Sequence, residues 1–131
     1  MPTPKTPRIL VIDDEPLIGS LIARLLGQGC EVVAVTRATD GLERLELQDD
    51  FDLVLCDLMM PDVTGMDVHA ALVARGSVHA ATMVFLTGGA FAGEAGQFLA
   101  DVPNACLEKP FPAEELRAAV LRGLAGRRDG P

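Results

Sequence analysis

Several polar residues in this sequence stand directly after apolar segments, at positions where side chains of these types could do chemistry. They are Asp13, Asp14, Asp57, Thr87 and Lys109. Carboxylates bind divalent cations, whereas an ammonium group and a hydroxyl can hold phosphate oxygens. Whether they act together depends on the elements that position them.

The apolar segments predict strands that are buried on both faces, because none of them alternates with polar residues. These segments are residues 9–12, 32–35, 53–56, 83–86 and 105–107. The residues between them are numerous enough for a crossover helix each time. Five strands alternating with five helices predict an α/β fold with a doubly wound parallel sheet.

Each intervening segment carries a helix signal. The first helix begins at Pro16, ends near Gly27 and Gly29, and has one apolar stripe. Thr39 or Asp40 can cap the second helix, and Thr64 with Asp67 forms a capping-box pattern for the third. A fourth helix is predicted around residues 91–101 and a last one from about residue 112. The apolar stripe of the first helix is Leu17, Ile18, Leu21, Ile22, Leu25 and Leu26. We expect one domain over residues 8–125, with tails at 1–7 and 126–131.

The carboxyl ends of parallel strands meet at one edge of a sheet, so we expect the polar residues to share a crevice there. Three carboxylates in one crevice raise one another's pKa unless a cation joins them. An all-oxygen ligand set favours Mg²⁺, with Mn²⁺ possible, and Mg²⁺ commonly works with phosphate. A carboxylate can form an aspartyl-phosphate, with Lys109 and Thr87 neutralising the phosphoryl oxygens and Gly88 leaving room for a backbone N–H. Pro110 predicts a cis peptide bond after Lys109.

Taken singly, each residue also has a structural interpretation. Asp13 and Asp14 could cap the first helix, Asp57 could be a turn residue, and Thr87 and Lys109 could belong to a plain loop and a solvated surface. Met59 and Met60 are expected to fill the gap between strand and loop. The joint occurrence of suitable residues at successive strand ends favours the functional interpretation.

Composition excludes several function classes. A net charge of −8 repels nucleic acid and anionic lipid, and no apolar run is long enough for a membrane span. Cys30, Cys56 and Cys106 lack metal-ligand spacing with His69 or His79, so they are expected to be reduced core residues of a cytoplasmic protein. His69 is expected at the surface or at the boundary of the core.

Four motifs together resemble the receiver domain of two-component response regulators: "ILVIDDEP", "DLVLCDLMMPDVTGMD", "VFLTGG" and "CLEKPF". The resemblance runs from about Arg8 to Leu124. It implies a flavodoxin-like (βα)5 fold with strand order 2-1-3-4-5, similar to the chemotaxis response regulator. "TGGAF" and "LEKPF" also resemble receivers at the C-termini of hybrid histidine kinases.

The resemblance assigns roles to individual residues. Asp57 would be the phosphoacceptor in a phosphorelay, receiving its phosphoryl group from a histidine kinase or phosphotransfer protein, or from a small phosphodonor. Asp14 would bind Mg²⁺ directly, Asp13 largely through water, and Asp57 and the Met59 carbonyl would complete the ligands. Thr87 and Lys109 would hold the phosphoryl oxygens. Such a domain is a signalling phosphoacceptor that hydrolyses its own aspartyl-phosphate, rather than a conventional enzyme.

Two positions depart from the family pattern. Cys106 stands where an aromatic switch residue is usual, and Gly88 where Ala is common, so we expect the switch region of Thr87, Gly88 and Cys106 to work by ordering residues 88–101 on phosphorylation. We expect a downstream protein target, no direct nucleic-acid contact, and a monomer or weak dimer. The alternative function is a phosphorylation-independent binding module. A haloacid-dehalogenase-like phosphatase would need an Asp at Met59, and a nucleotide-binding fold would need glycines at Asp13 and Asp14.

Overall fold

The computed structural model describes residues 6–89 and 93–129, which form a parallel sheet covered by helices on both faces. The strands are β1 (Arg8–Ile12), β2 (Glu31–Val35), β3 (Leu53–Asp57), β4 (Val84–Thr87) and β5 (Cys106–Glu108). All neighbours pair in parallel, in the order β2-β1-β3-β4-β5. This confirms the predicted doubly wound, flavodoxin-like architecture.

The described residues contain six helices rather than the five expected. They are α1 (Pro16–Leu26), α2 (Ala38–Leu47), α3 (Gly65–Ala74), α4 (His79–Thr82), α5 (Gly93–Asp101) and α6 (Ala113–Asp129). The extra helix, α4, is one turn long and precedes β4. The side-chain amide of Asn104 donates to the carbonyl oxygens of Ala80 and Met83, each at 2.9 Å. A distant residue therefore satisfies the carbonyls at the end of this turn, which no local pattern could show.

Strand alternation divides the core into two layers, because successive side chains point to opposite faces. One layer lies under α1 and α6 and includes Leu53, Leu55 and Leu107. The other lies under α2, α3, α4 and α5 and includes Val54, Cys56 and Phe85. The sheet thus separates two apolar cores, and its carboxyl edge remains free to carry polar groups.

The starts of the first three helices differ in how well sequence predicted them. Pro16 begins α1 as expected, and the capping box of Thr64 and Asp67 is present at α3. The predicted cap of α2 is wrong, because Arg37 occupies the N-cap position without a side-chain hydrogen bond. Starting the helix at Ala38 buries Ala38, Gly41 and Leu45 on one face, and this packing decides the boundary.

Two burial predictions also need correction. The apolar stripe of α1 is wider than its buried face, because Leu17 and Leu21 are 80% and 39% exposed whereas Ile22 and Leu26 are buried. The strands β2 and β5 are not buried on both faces: they lie at the two edges of the sheet, and most of their residues are only partly covered or exposed. Sequence hydropathy alone could not reveal which elements would have neighbours on both sides.

The ends of the chain were predicted less closely than its middle. The last helix, α6, continues to Asp129 instead of ending before residue 126, although the domain boundary at residue 125 itself stays a prediction. The predicted tail residues 1–5 and 130–131, and residues 91–92 of the predicted fourth helix, lie outside the described residues. Within the described ranges, no helix has both the length and the hydropathy that crossing a bilayer requires.

Candidate functional site

Strand alternation delivers three of the candidate residues to the same side of the carboxyl edge. Asp13 follows Val11 by two positions, Asp57 follows Leu55, and Lys109 follows Leu107. The three preceding residues belong to the core layer under α1 and α6. Because residues two apart share a face, the two carboxylates and the ammonium group converge beside that layer.

The convergence is visible in the distances. Lys109 Nζ lies 2.8 Å from Asp13 Oδ2 and 3.6 Å from Asp57 Oδ2. A carboxylate oxygen from each of Asp13, Asp14 and Asp57 lies within 4.8 Å of those of the other two. Asp13 and Asp57 are only 2% and 4% exposed, whereas Asp14 is open to solvent. The structure therefore brings together all the acidic residues and the lysine that the sequence singled out.

The charges in this crevice are not balanced by the protein. Burial, together with the charge of Asp13, raises the pKa of Asp57 to about 7, even though Lys109 opposes the shift. Burial would lower the pKa of Lys109, but its hydrogen bond to Asp13 and the charges of Asp57, Asp13 and Glu15 raise that pKa instead. One ammonium group thus faces three carboxylates, and a divalent cation would supply the missing positive charge. The all-oxygen donor set suits a hard cation such as Mg²⁺.

Local hydrogen bonds hold the two buried carboxylates. Asp13 Oδ1 accepts from the backbone N–H of Glu15 at 2.9 Å, and Asp57 Oδ1 accepts from that of Met59 at 3.4 Å. The N-cap of α1 is Glu15, without a side-chain cap, so neither Asp13 nor Asp14 serves as the helix cap that the structural interpretation required. The side chains of Asp13 and Asp14 therefore lie at the crevice and do not cap α1.

The turn after β3 is shaped by close packing. Gly65 begins α3 against the end of β3, where an added Cβ would lie 2.5 Å from the carbonyl oxygen of Asp57. Asp62 has a positive φ of 69°. Met60 is buried as expected, but the side chain of Met59 is 57% exposed and fills no gap. The sequence motif therefore encodes a tight turn whose first residues border the crevice.

Thr87 reaches the same edge from the other face of the sheet. It is 3% exposed, and its Oγ1 accepts from the backbone N–H of Gly89 at 3.4 Å. An added Cβ at Gly88 would meet nothing within 4 Å, whereas Gly89 has a φ of 130°. Of the two glycines, only Gly89 has a conformation that needs glycine. The expectation that Gly88 leaves room for a backbone N–H stays a prediction.

Other residues around the crevice either confirm a sequence prediction or were not predicted as site residues. The Lys109–Pro110 bond is cis, as predicted. Glu15 was not predicted as a site residue, yet its Oε1 lies 4.0 Å from Lys109 Nζ, and its position two residues after Asp13 was the available signal. Cys106 is half-buried against the core under α5, and all three cysteines are free. His69 lies at the core boundary, as expected.

Comparison with known proteins agrees with this geometry. The sequence matches the response regulator receiver domain family over residues 9–121. The chain belongs to this family. The receiver domain is 34% identical to the sensor protein GacS of Pseudomonas syringae pv. syringae, with 97% of this chain and 15% of that protein covered. It is 38% identical to the positive alginate biosynthesis regulatory protein of Pseudomonas aeruginosa, with 87% of this chain and 46% of that protein covered.

Solved structures of receiver domains have a fold similar to that of this chain. A CheY-like response regulator receiver domain protein from Methanospirillum hungatei JF-1 matches with a TM-score of 0.78 and 26% identity, covering 95% of this chain and 98% of that one. The match to GacS supports the resemblance to receivers of hybrid kinases. The chain spans about half or less of the length of its curated relatives, some of which are named DNA-binding response regulators.

Proposed function

We propose that this receiver domain accepts a phosphoryl group on Asp57 from the phosphohistidine of a histidine kinase or phosphotransfer protein, and thereby switches its contacts with a downstream protein. The observation that carries the proposal is the unbalanced crevice of three carboxylates and one lysine. A structural ion-pair cluster would be expected to neutralise its own buried charges, whereas this cluster needs a cation and has a lysine ready for an incoming anion.

In this proposal Asp57 Oδ attacks the phosphorus atom and the bond from phosphorus to the donor nitrogen breaks. Asp13, Asp14, Asp57 and the carbonyl of Met59 would hold Mg²⁺, with Mn²⁺ as a substitute. The cation supplies charge neutralisation for the phosphoryl oxygens. The chain's own residues orient the reaction: the Met59 N–H positions the nucleophile, and the Lys109 ammonium is close enough to move from Asp13 to a phosphoryl oxygen.

Thr87 completes the proposed site from the neighbouring strand. Its hydroxyl would donate to a phosphoryl oxygen, and the same crevice would admit a water molecule for hydrolysis of the aspartyl-phosphate. Action in the cytoplasm, as a monomer or weak dimer, without direct nucleic-acid contact, stays part of the proposal. The net charge of −8 supports the last point.

Intact-protein mass spectrometry after incubation with acetyl phosphate and Mg²⁺ tests the proposal directly. We expect one phosphoryl adduct, which Asp57→Asn or EDTA abolishes. Asp52→Asn is a matched control, because it changes a partly buried aspartate at the opposite end of the sheet. If repeated short-time sampling shows no adduct and beryllofluoride also fails to bind, the phosphorylation-independent binding module becomes the better interpretation.

A further inference from the structure

A groove of about 890 Å³ lies between the last turn of α1 and the middle of α6, on the face of the sheet that these two helices cover. Its apolar lining continues from the core and includes Leu25, Leu26, Val120 and Leu124. Leu121 also lines the groove, and its side chain is 67% exposed. The volume lies within the range of about 300–1,000 Å³ that is typical of small-molecule sites.

Two arginines give this groove a positive charge. Arg24, in the last turn of α1, and Arg117, from α6, both line it and are both exposed. The lining, as far as the structure describes it, contains no acidic residue. The ion pairs of the described residues involve neither arginine. Although the chain has a net charge of −8, these two guanidinium groups are therefore available to an anion.

Arg117 also limits the shape of a ligand that the groove can hold. Its Nη2 donates to the carbonyl oxygen of Leu25 at 3.4 Å, which joins α6 to the last turn of α1 across the groove. A third helix is about 10 Å wide, so laid between α1 and α6 it would have to break this link. A flexible alkyl chain is narrow enough to pass beside it. The geometry therefore favours a slender apolar ligand over a helix.

The end of the groove nearest β2 is open and carries no charge. Gly29 lines it without a side chain, and an added Cβ there would meet nothing within 4 Å. The free thiol of Cys30 lines the groove beside it and is half-buried. Burial and the charge of Asp52 raise the pKa of this thiol, so the thiol is neutral at pH 7. An alkyl chain can therefore extend toward this end without meeting a charged group.

We propose that this groove binds a free long-chain carboxylate, with its alkyl chain on the apolar lining and its carboxylate on Arg24 and Arg117. Guanidinium groups hold carboxylates through paired N–H donors, and the apolar lining removes the alkyl chain from water. A second copy of the chain is a poorer occupant, because two-fold symmetry would place one positively charged groove against another. The groove extends to Pro7 and Cys30, just before β1 and β2, so this site is separate from the crevice at the carboxyl end and goes beyond the proposed function.

Thiol footprinting with dodecanoate tests the proposal. The full chain is treated with N-ethylmaleimide, dodecanoate is kept below its micelle concentration, and peptide mass spectrometry follows the modification of each cysteine. Isothermal titration calorimetry gives the Kd. At about four times this Kd, dodecanoate should slow the modification of Cys30 about fivefold. Cys106 is also half-buried but lies outside the groove, so it is the internal control and should react at an unchanged rate.

A ligand of opposite charge separates charge recognition from simple adsorption. Dodecyltrimethylammonium has an alkyl chain of the same length and should not protect Cys30. Equal protection by the two ligands would indicate adsorption to apolar surface and would overturn the proposal, as would a lack of protection by dodecanoate at every concentration below micelle formation. Protection that needs no ligand and grows with protein concentration would assign the groove to a second copy of the chain, which also contradicts the proposal.

Two matched pairs of variants locate the binding. Arg117→Gln removes a charged donor and should weaken dodecanoate binding about tenfold. Arg122→Gln changes another exposed arginine of α6, outside the groove, and should leave the Kd within about twofold of wild type. Leu121→Glu adds a negative charge to the lining and should weaken binding, whereas Leu47→Glu changes an exposed leucine of α2 and should not. Equal effects within either pair contradict the proposal.

Discussion

The two ends of the sheet both collect acidic residues, but they use them differently. At the amino end, the connection from α2 to β3 carries Asp49, Asp50 and Asp52. At the carboxyl end, Asp13, Asp14 and Asp57 converge. The two sets are alike in residue type and number, so composition alone gives no reason to prefer either as a functional site.

The amino end satisfies its charges within the protein. The guanidinium of Arg8 pairs with Asp50 and lies 4.6 Å over the ring of Phe51, and its backbone N–H donates to Asp52 at 2.8 Å. Asp49 Oδ1 lies at hydrogen-bond distance, 2.8 Å, from Nε2 of His79. The side chains of Asp49 and Asp50 are also more than a third exposed, so water screens what remains of their charge.

The carboxyl end leaves its charges unsatisfied. Asp13 and Asp57 are buried with Lys109 as their shared ammonium partner, and the pKa of Asp57 is raised to about 7 by burial and by Asp13. This difference indicates that buried carboxylates without enough positive charge beside them, rather than acidic composition, distinguish the candidate site from the amino end. Four predictions test this comparison.

The largest expected effect is on phosphorylation. Lys109→Met removes the ammonium group that would neutralise the phosphoryl oxygens, and it should slow phosphorylation of Asp57 by acetyl phosphate about 100-fold. Arg8→Met removes a cation at the amino end and should change the rate less than about twofold. Time-resolved intact mass measures both rates. Equal slowing in the two variants would show that global folding, not local charge, controls the reaction.

The second-largest expected effect is on the free energy of unfolding, through close packing beside the candidate site. Gly65→Ala places a Cβ 2.5 Å from the carbonyl oxygen of Asp57 and 2.8 Å from the Cα of Leu58, so backbone must move. We expect a loss of about 3 kcal/mol in the free energy of unfolding, measured by urea titration. At the amino end, a Cβ on Gly29 would meet nothing within 4 Å. Gly29→Ala should therefore keep near wild-type stability, and a similar loss there would refute the packing argument.

The third effect is the pH dependence of stability in EDTA. Burial and Asp13 raise the folded-state pKa of Asp57 to about 7. The protonated Asp57 carboxyl therefore contributes its full favourable share to the free energy of unfolding below about pH 4, and this contribution is lost as the pH rises through 7. Asp57→Asn should thus stabilise the metal-free protein by about 2 kcal/mol at pH 8.

This gain should shrink below pH 7 and vanish near pH 4, as thermal melts across the range can show. Asp52→Asn replaces the charged acceptor of the Arg8 N–H at the amino end with a neutral amide oxygen, which weakens this hydrogen bond, and it should be destabilising at pH 8. A gain from Asp57→Asn that is independent of pH would contradict the assignment of the raised pKa.

The smallest expected effect is on the free energy of unfolding, through ion pairs at the amino end of the sheet. Arg8→Met removes partly exposed ion pairs with Asp50 and Glu31, although the methionine keeps some contact with Phe51. We expect a loss of about 1 kcal/mol that decreases in high salt, because solvent screens such pairs. Urea titrations at low and high ionic strength measure it. Addition of Mg²⁺ should not restore this loss, since the carboxylates that Arg8→Met leaves behind are more than a third exposed and are solvated by water.

The parallel sheet was predictable, because buried strands have apolar runs and parallel crossovers permit few arrangements. Its strand order was predicted only by the resemblance to the receiver family. The convergence of the candidate residues at one edge of the sheet was predictable because they follow those apolar runs. The one-turn helix α4 was not, since it depends on Asn104 from another part of the chain. The exposure of Leu17 and the cap of α2 were also missed, because packing between elements decides them.

The sequence by itself determined which residue types stand at each strand end, and strand alternation then determined which of them share a face. Only the tertiary structure decided that the carboxylates of Asp13 and Asp57 are buried around one lysine, whereas those of Asp49 and Asp50 are partnered near solvent. The physical reason is that the energy of a charge depends on its distance to other charges and on its access to water. Both are set by residues that are far apart in the chain and meet only when it folds.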